Sequence, residues 1–156
     1  MRIKLISVGK ANQGPFTDLC QEYIRRTKHY TSLDTVILSP VSFRQPQPDR
    51  VKLEEGRIIQ AECKPGDYLI LLDEGGKQLT SMAFSRWLSD KQLQSVKSLV
   101  FIIGGAYGFS PELMSSASFR LSLSDMTLPH QLARLVFLEQ LYRAYSLIHG
   151  SSYHHE

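Results

Sequence analysis

The residues best suited to chemistry in this 156-residue chain lie in loops that follow apolar runs. The run 101–103, Phe-Ile-Ile, enters a glycine-rich loop at 104–108, and Ser-Pro-Glu at 110–112 then opens a predicted helix. A strand, a glycine loop and a helix start together form a common phosphate-binding arrangement. This loop has no lysine, however, and its spacing fits neither a P-loop nor a dinucleotide-binding fingerprint. The loop therefore indicates a ligand other than a nucleotide phosphate.

Two further loops follow apolar runs, at 72–76 and at 123–130. Ligands of open α/β sheets bind beyond the carboxyl ends of the strands, so the three loops can share one site. The loops 104–110 and 123–130 contain no lysine or arginine; they offer glycine backbone, apolar side chains and the carboxylate of Asp125. Such a lining suits an adenine ring and a positively charged sulfonium, as in S-adenosylmethionine. Glycines after strands often only make turns, so the residue types alone leave both interpretations open.

The elements that must position these loops follow from the hydrophobic pattern. Continuously apolar runs such as YLILLD and LVFII are typical of strands buried on both faces of a parallel sheet. Helix-like segments separate the runs, which predicts a single α/β domain with a mostly parallel sheet flanked by helices. The predicted strands are 3–8, 35–38, 68–73, 99–103 and 119–123, and the predicted helices are 15–30 (beginning at Pro15), 49–63 (with Asp49 as N-cap), 80–93 and 129–149.

The composition is that of an ordinary soluble domain, with 42% hydrophobic and 21% charged residues. A net charge of +3 and a pI near 8.9 permit a polyanionic partner without requiring one. The two cysteines, Cys20 and Cys63, are not in a CxxC pair, which favours reduced thiols. No apolar run is long enough to span a membrane and no signal peptide is recognisable, so a cytoplasmic protein is expected.

The last predicted helix is apolar nearly all round, unlike a surface helix, which keeps one polar face. It should therefore be buried on two sides, against its own sheet and against a second surface. A second copy of the chain is the simplest candidate for that surface. A central core helix in a monomer is the alternative.

Four ordered motifs carry a resemblance to a known family. They are FIIGGAYGFSP, LSLSDMTLPH, LYRAYS and the terminal YHHE, and the opening IKLISVGK agrees with them. Together they resemble the RlmH family of SPOUT-class methyltransferases over the whole chain. The loop departs from relatives that have Gly-Gly-Pro-Glu-Gly, because this chain has Gly-Gly-Ala-Tyr-Gly at 104–108. An acidic cofactor contact from that position is therefore not available.

The resemblance implies a fold and an activity. It implies an α/β domain with a deep trefoil knot in about 68–156, S-adenosylmethionine as cofactor, and a homodimer. The implied reaction is methylation of N3 of pseudouridine 1915 in helix 69 of 23S ribosomal RNA, on assembled ribosomes. A non-catalytic ribosome-binding factor, or a methyltransferase acting on another RNA such as tRNA, are the alternatives.

The resemblance also implies site residues. The family's tail and its Leu-Tyr-Arg-Ala motif correspond to Tyr153, His154 and Arg143, as catalytic candidates, with His154 as proton acceptor or RNA contact and Tyr153 as a stacking platform for the target base. Its cofactor positions correspond to Leu72, Gly104, Leu123, Ser124, Asp125, Met126, Thr127 and Leu128.

Contacts to RNA should come from basic residues, among which Arg25, Arg26, Lys28 and His29 cluster at the end of the first helix. A cation-rich helix C-terminus is also favourable to the helix dipole by itself. Metal binding by the chain's histidines lacks a convincing spacing, so no metal is expected.

Overall fold

The computed structural model describes residues 1–10, 14–45 and 47–151 as one five-stranded sheet flanked by helices. The strand order is β2-β1-β4-β3-β5, and all the paired strands are parallel. The strands are β1 (Arg2–Val8), β2 (Ser32–Leu38), β3 (Tyr68–Gln78), β4 (Ser98–Ile103) and β5 (Phe119–Ser122). The helices are α1 (Pro15–Thr27), α2 (Pro48–Ala61), α3 (Ser81–Leu93), α4 (Pro111–Ser116) and α5 (His130–Ile148).

Strand β4 lies at the centre of the sheet, and its sequence SLVFII explains that position. Its side chains alternate between two hydrophobic clusters, as the pleat of a strand requires. Leu99, Phe101 and Ile103 pack with residues of α1, α3 and α5, whereas Val100 and Ile102 pack with residues of α2 and α4. Helices therefore cover both faces of the sheet, which is why its central strand is apolar throughout.

The predicted α/β class and mostly parallel sheet are confirmed, with shifts at the element boundaries. Strand β3 continues to Gln78, five residues beyond its predicted end, because it resumes pairing after an irregular stretch. Helix α2 begins at Pro48, so Asp49 lies in its first turn and the prediction of Asp49 as N-cap was wrong. Proline suits that first helical position because it has no N–H to satisfy. The trefoil knot in about 68–156 stays a prediction.

Helix α5 packs within its own chain against α1, α3 and the sheet. Its buried residues include Phe137, Leu141 and Tyr145, as expected of a core helix. Several apolar side chains remain only half-buried on α5: Leu132, Leu135 and Val136. No helix in the described part of the chain is long and apolar enough to cross a membrane. Cys20 and Cys63 are free thiols, as predicted.

Strand β3 contains an outward loop at residues 73–76. Leu72 and Lys77 both pair with Leu121 of β5, so the four residues between them leave the ladder. Gly76 closes this loop against the backbone of β5, where an added Cβ would lie 2.7 Å from the carbonyl carbon of Arg120 and 2.8 Å from the nitrogen of Leu121. A backbone neighbour cannot rotate away as a side chain can, so glycine is required there.

We expect Gly76→Ala to destabilise the fold by about 1–3 kcal/mol, because its methyl group would force β3 and β5 apart. The free energy of unfolding, measured by urea denaturation, checks this. Gly75→Ala is the matched control, since the nearest atom to its added Cβ is Asp73 Oδ2 at 3.4 Å. Equal stability of the two variants would contradict the argument.

Candidate cofactor site

A cavity of about 510 Å³ opens at the carboxyl ends of β3, β4 and β5 and at the start of α5. Parallel pairing brings these ends to one edge of the sheet, so three loops distant in sequence share one site. The lining residues are Leu72, Asp73, Glu74, Ile103, Gly104, Gly105, Ala106, Gly108, Phe109, Leu123, Ser124, Met126, Thr127, Leu128, Pro129, His130 and Ala133.

Most of the cofactor residues named from the sequence meet in this cavity. Seven of the eight line it: Leu72, Gly104, Leu123, Ser124, Met126, Thr127 and Leu128. Asp125 is exposed and is not among the lining residues, so the structure does not bring it together with the others. Among the described residues, the carboxylates that do line the cavity are Asp73 and Glu74, in the loop at 72–76.

Of the three catalytic candidates, the structure describes only Arg143, which is not among the residues that line the cavity. Arg143 is on α5, thirteen residues after His130, which is about 20 Å along the helix axis. Its guanidinium pairs with Glu139, with 2.6 Å between Arg143 Nη2 and Glu139 Oε1. Tyr153 and His154 fall outside the described residues.

Polar side chains tie the loops at the cavity rim to one another. The Thr127 hydroxyl donates a hydrogen bond to Glu74 Oε2 at 2.9 Å, which links the loop after β5 to the outward loop of β3. Arg120 reaches the same outward loop, at 3.3 Å from both Asp73 Oδ2 and the carbonyl oxygen of Gly75. The rim carboxylates therefore already have partners within the chain.

The glycine loop at 104–108 is shaped by close contacts. The Gly108 N–H donates to the Gly105 carbonyl at 3.0 Å, and Gly108 has a φ of 80°, a conformation that favours glycine. An added Cβ on Gly104 would lie 2.9 Å from Cε1 of Phe109, so that ring packs directly on the backbone. Tyr107 is 42% exposed at the tip of the loop. Backbone groups, rather than side chains, therefore form this wall of the cavity.

Charge in the cavity favours a cation or a neutral ring over an anion. Among the residues that the structure describes, the lining contains two carboxylates and no lysine or arginine, and His130 is its sole basic side chain. An anionic ligand would meet like charge here, whereas a sulfonium or an ammonium would be attracted.

Glu55 of α2 is a residue that the sequence gave no reason to select. Its side chain is only 3% exposed, and its carboxyl lies directly behind Gly105, where an added Cβ would come within 2.7 Å of Cδ. Oε1 accepts a hydrogen bond from the Val41 N–H at 3.3 Å, while Oε2 has no partner. Burial raises the pKa of this carboxyl above its ordinary value of 4.5, and the single backbone hydrogen bond opposes the shift only in part.

Comparison with known proteins decides the family. A family model described as "Predicted SPOUT methyltransferase" matches residues 1–154. The chain belongs to the SPOUT methyltransferase family. It is similar to proteins named "Ribosomal RNA large subunit methyltransferase H" from Bacteroides fragilis (41% identical) and Parabacteroides distasonis (42%), each aligned over 100% of both chains. A protein of that name from Maridesulfovibrio salexigens is 42% identical over 99% of this chain and 98% of its own. The resemblance inferred from the motifs is confirmed.

A SPOUT methyltransferase needs a methyl donor. Among the described residues, no group of histidine, cysteine, aspartate and glutamate side chains could hold a metal ion.

The basic cluster at the end of α1 is partly engaged within the chain. Arg25 and Arg26 both pair with Glu22, at 2.9 and 2.7 Å, and their guanidinium groups lower the pKa of that carboxyl. These pairs are largely exposed, so they contribute little to stability and can be exchanged for other anions.

The raised pKa of Glu55 predicts a dependence of stability on pH. Between pH 4.5 and the raised value, the folded protein binds more protons at this residue than the unfolded chain, so its contribution to stability falls as pH rises. Glu55→Gln removes this titration. We therefore expect the variant to gain stability relative to the parent protein as the pH increases from about 4.5, in urea titrations at a series of pH values.

Glu54→Gln is the matched control, because Glu54 is the neighbouring carboxylate and is paired with Arg57 on the outside of α2. A difference between parent protein and Glu55→Gln that is constant with pH would contradict the raised pKa.

Proposed function

We propose that the chain is an S-adenosylmethionine-dependent methyltransferase that acts on N3 of pseudouridine in helix 69 of 23S ribosomal RNA, within assembled ribosomes. The observation that supports this most is the cavity, in which seven of the eight residues named for the cofactor come together without any lysine or arginine. The names of the similar proteins support ribosomal RNA of the large subunit as the substrate class. We place the whole chain in one domain, with the knot in about 68–156.

The cavity fits this cofactor in size and chemistry. Its volume of about 510 Å³ is within the usual range for small-molecule sites. The apolar side chains of Leu72, Leu123 and Leu128 suit the adenine ring, and the glycine backbone at 104–108 permits close approach. When bound, S-adenosylmethionine supplies an activated methyl group on a cationic sulfur. Asp73 at the rim is paired with Arg120, so it is Glu74, which accepts from the neutral Thr127 hydroxyl, that adds the negative charge favouring such a cation.

The role of this chain in the transfer is to orient the donor and exclude water. Methyl transfer requires the acceptor nitrogen, the methyl carbon and the sulfur in line, so the cofactor must be held rigidly. The Thr127–Glu74 hydrogen bond keeps the loop after β5 over the cavity, and Phe109 packs behind Gly104. N3 of a uracil-type base must also lose its proton, and we propose His154 as the acceptor, with Tyr153 stacking on the base.

We propose a homodimer in which the tail serves the other subunit. Ala133 is the last cavity residue on α5, and Ser151 folds back to donate to the Ser146 carbonyl, about 20 Å further along the axis. His154 follows Ser151 by three residues, which reach at most about 11 Å. We propose that the tail serves the cavity of a second copy rather than that of its own chain. If a second copy covers the half-buried face of α5, the tail and Arg143 would lie close to the cavity of that copy.

The neighbouring helix supports the same interface. Phe16 and Leu19 on α1, which packs against α5, are 42% and 49% exposed. Large apolar side chains at such exposure favour burial against another protein surface.

Cofactor binding separates this proposal from a nucleotide-binding function. We expect S-adenosylmethionine and S-adenosylhomocysteine to raise the melting temperature, because both bind the folded protein only, while ATP leaves it unchanged. Thermal denaturation with each ligand at equal concentration checks this. Stabilisation by ATP alone would overturn the cofactor assignment.

Methyl transfer tests the substrate. We expect tritiated methyl from S-adenosylmethionine to label a single nucleotide of helix 69 in intact ribosomes that lack the modification, and to label separated subunits and naked RNA far less. We expect His154→Ala to lower kcat by about 10²–10⁴-fold, the usual contribution of a general base.

The control is His155→Ala, which changes the adjacent histidine and should keep near-normal activity. Label that persists in His154→Ala would keep the enzyme and exclude His154 as the base. Label on transfer RNA alone would move the activity to another RNA. Cofactor binding without label on any RNA would favour a non-catalytic ribosome-binding factor.

A further inference from the structure

We propose that Glu55 is a positioning residue for the cofactor site, and that its buried carboxyl forms the back wall which fixes the glycine loop at 104–108. This role rests on the proposed function in one respect, because the proposed function identifies the ligand of that loop as S-adenosylmethionine. Glu55 does not line the cavity and acts through Gly105, which does.

The first support is the contact between α2 and the glycine loop. The Glu55 carboxyl occupies the space where a Cβ of Gly105 would lie. One residue further along α2, an added Cβ on Gly56 would come within 2.8 Å of Ser110 Oγ. The Ser110 hydroxyl in turn accepts a hydrogen bond from the Leu113 N–H at 3.2 Å and caps α4. Helix α2 is therefore pressed against both ends of the segment that runs from the glycine loop into α4.

The second support is that Glu55 also contacts a separate segment. Its Oε1 accepts the Val41 N–H at 3.3 Å, in the stretch between β2 and α2. One buried side chain thus lies between this stretch and the cavity wall. Removing it would leave space behind Gly105 and would free the Val41 N–H from its acceptor.

The third support is the absence of a cation that would stabilise a charged carboxylate. Within the described residues, the Val41 N–H is the only hydrogen-bond donor to Glu55. The only titratable side chain of the glycine loop is the phenol of Tyr107. The only charged side chain of the described 39–45 stretch is Arg44, which is exposed. The three cations of α2 have other partners: Arg50 lies over the Phe43 ring, Lys52 pairs with Asp49 and Arg57 pairs with Glu54. An uncharged acid is the form that such an environment favours.

A fixed loop matters because the cavity wall is backbone. Within the loop, the Gly108–Gly105 hydrogen bond closes one turn, and the side chains of Ala106 and Tyr107 are exposed. The loop is therefore held by Phe109 against Gly104 and by Glu55 against Gly105. A loop that samples several shapes binds its ligand more weakly, by the fraction of time spent in the competent shape. The wall behind the loop therefore sets the affinity for the cofactor.

Two substitutions at this position separate shape from charge. We expect Glu55→Ala to weaken S-adenosylhomocysteine binding by about tenfold, since coupled neighbours in one packed contact commonly contribute that much. We expect Glu55→Gln to bind within about twofold of the parent protein, because the amide keeps the size and the acceptor for Val41 while carrying no charge. Isothermal titration calorimetry measures both, with Glu54→Gln as the control that leaves affinity unchanged.

A measurement without ligand tests the loop directly. We expect Glu55→Ala to speed hydrogen exchange of the amides at 104–108 by about tenfold relative to the parent protein, while Glu55→Gln leaves it unchanged. Affinity and exchange in Glu55→Ala that equal those of the parent protein would overturn the proposal. Glu55→Gln that binds as weakly as Glu55→Ala would also overturn it, because charge would then be the property that matters.

A double-mutant cycle on Gly105 and Glu55 gives an independent test of their contact. Gly105→Ala should lose binding because its methyl group meets the Glu55 carboxyl, and Glu55→Ala should restore part of that loss in the double variant. Additive losses would contradict the contact. If the parent protein binds neither S-adenosylmethionine nor S-adenosylhomocysteine, the proposed function fails, whereas the hydrogen-exchange result still decides whether Glu55 positions the loop.

Discussion

The parallel pairing of β4 between β1 and β3 is the constraint on which the rest of this structure depends. Parallel strands need helical crossovers, and these place helices on both faces of the sheet. The central strand is then buried on both sides, which requires the unbroken apolar run that β4 has. The same pairing brings the carboxyl ends of β3, β4 and β5 to one edge, where three loops build the cavity.

Two glycines show how tightly this edge is assembled. Gly76 lies against the backbone of β5, and Gly105 lies against the carboxyl of Glu55. Each position has no room for a side chain, although neither has a positive φ. Glycine is needed at both for close approach rather than for an unusual backbone conformation. The contacts of Gly76 with β5 and of Gly105 with Glu55 thus hold both loops on the side away from the cavity.

The sequence was informative where burial alone decides the structure. The apolar runs predicted all five strands, and the helix starts at Pro15 and Thr80 were recognisable because proline and threonine are favoured there. The extension of β3 to Gln78 was not predictable, since Asp-Glu-Gly-Gly at 73–76 is typical of a turn that ends a strand. The strand resumes only because β5 supplies a second pairing, which is a tertiary contact.

In the site, too, local sequence was informative and tertiary contacts were not predictable. Seven of the eight residues that the motifs named for the cofactor line the cavity. Asp125 is exposed instead, in a turn of the loop after β5 where Ser124 Oγ accepts the Met126 N–H. Glu55 could not be found in advance. A glutamate beside Glu54 in a helix with several charged residues is typical of a solvent-facing position, and only the packing of α2 on the glycine loop buries it.

The two walls of the cavity differ in the strength of the contacts that hold them. The back wall, where α2 packs on the glycine loop, is buried, so displacing it would open a void and cost stability. The rim is held by exposed side-chain contacts, Thr127 with Glu74 and Arg120 with Asp73. Exposed pairs of this kind contribute only about 0–1 kcal/mol each, so they open readily. The glycine loop is therefore the more firmly held wall of the cavity, whereas the loop after β5 is held at the rim by these weaker contacts.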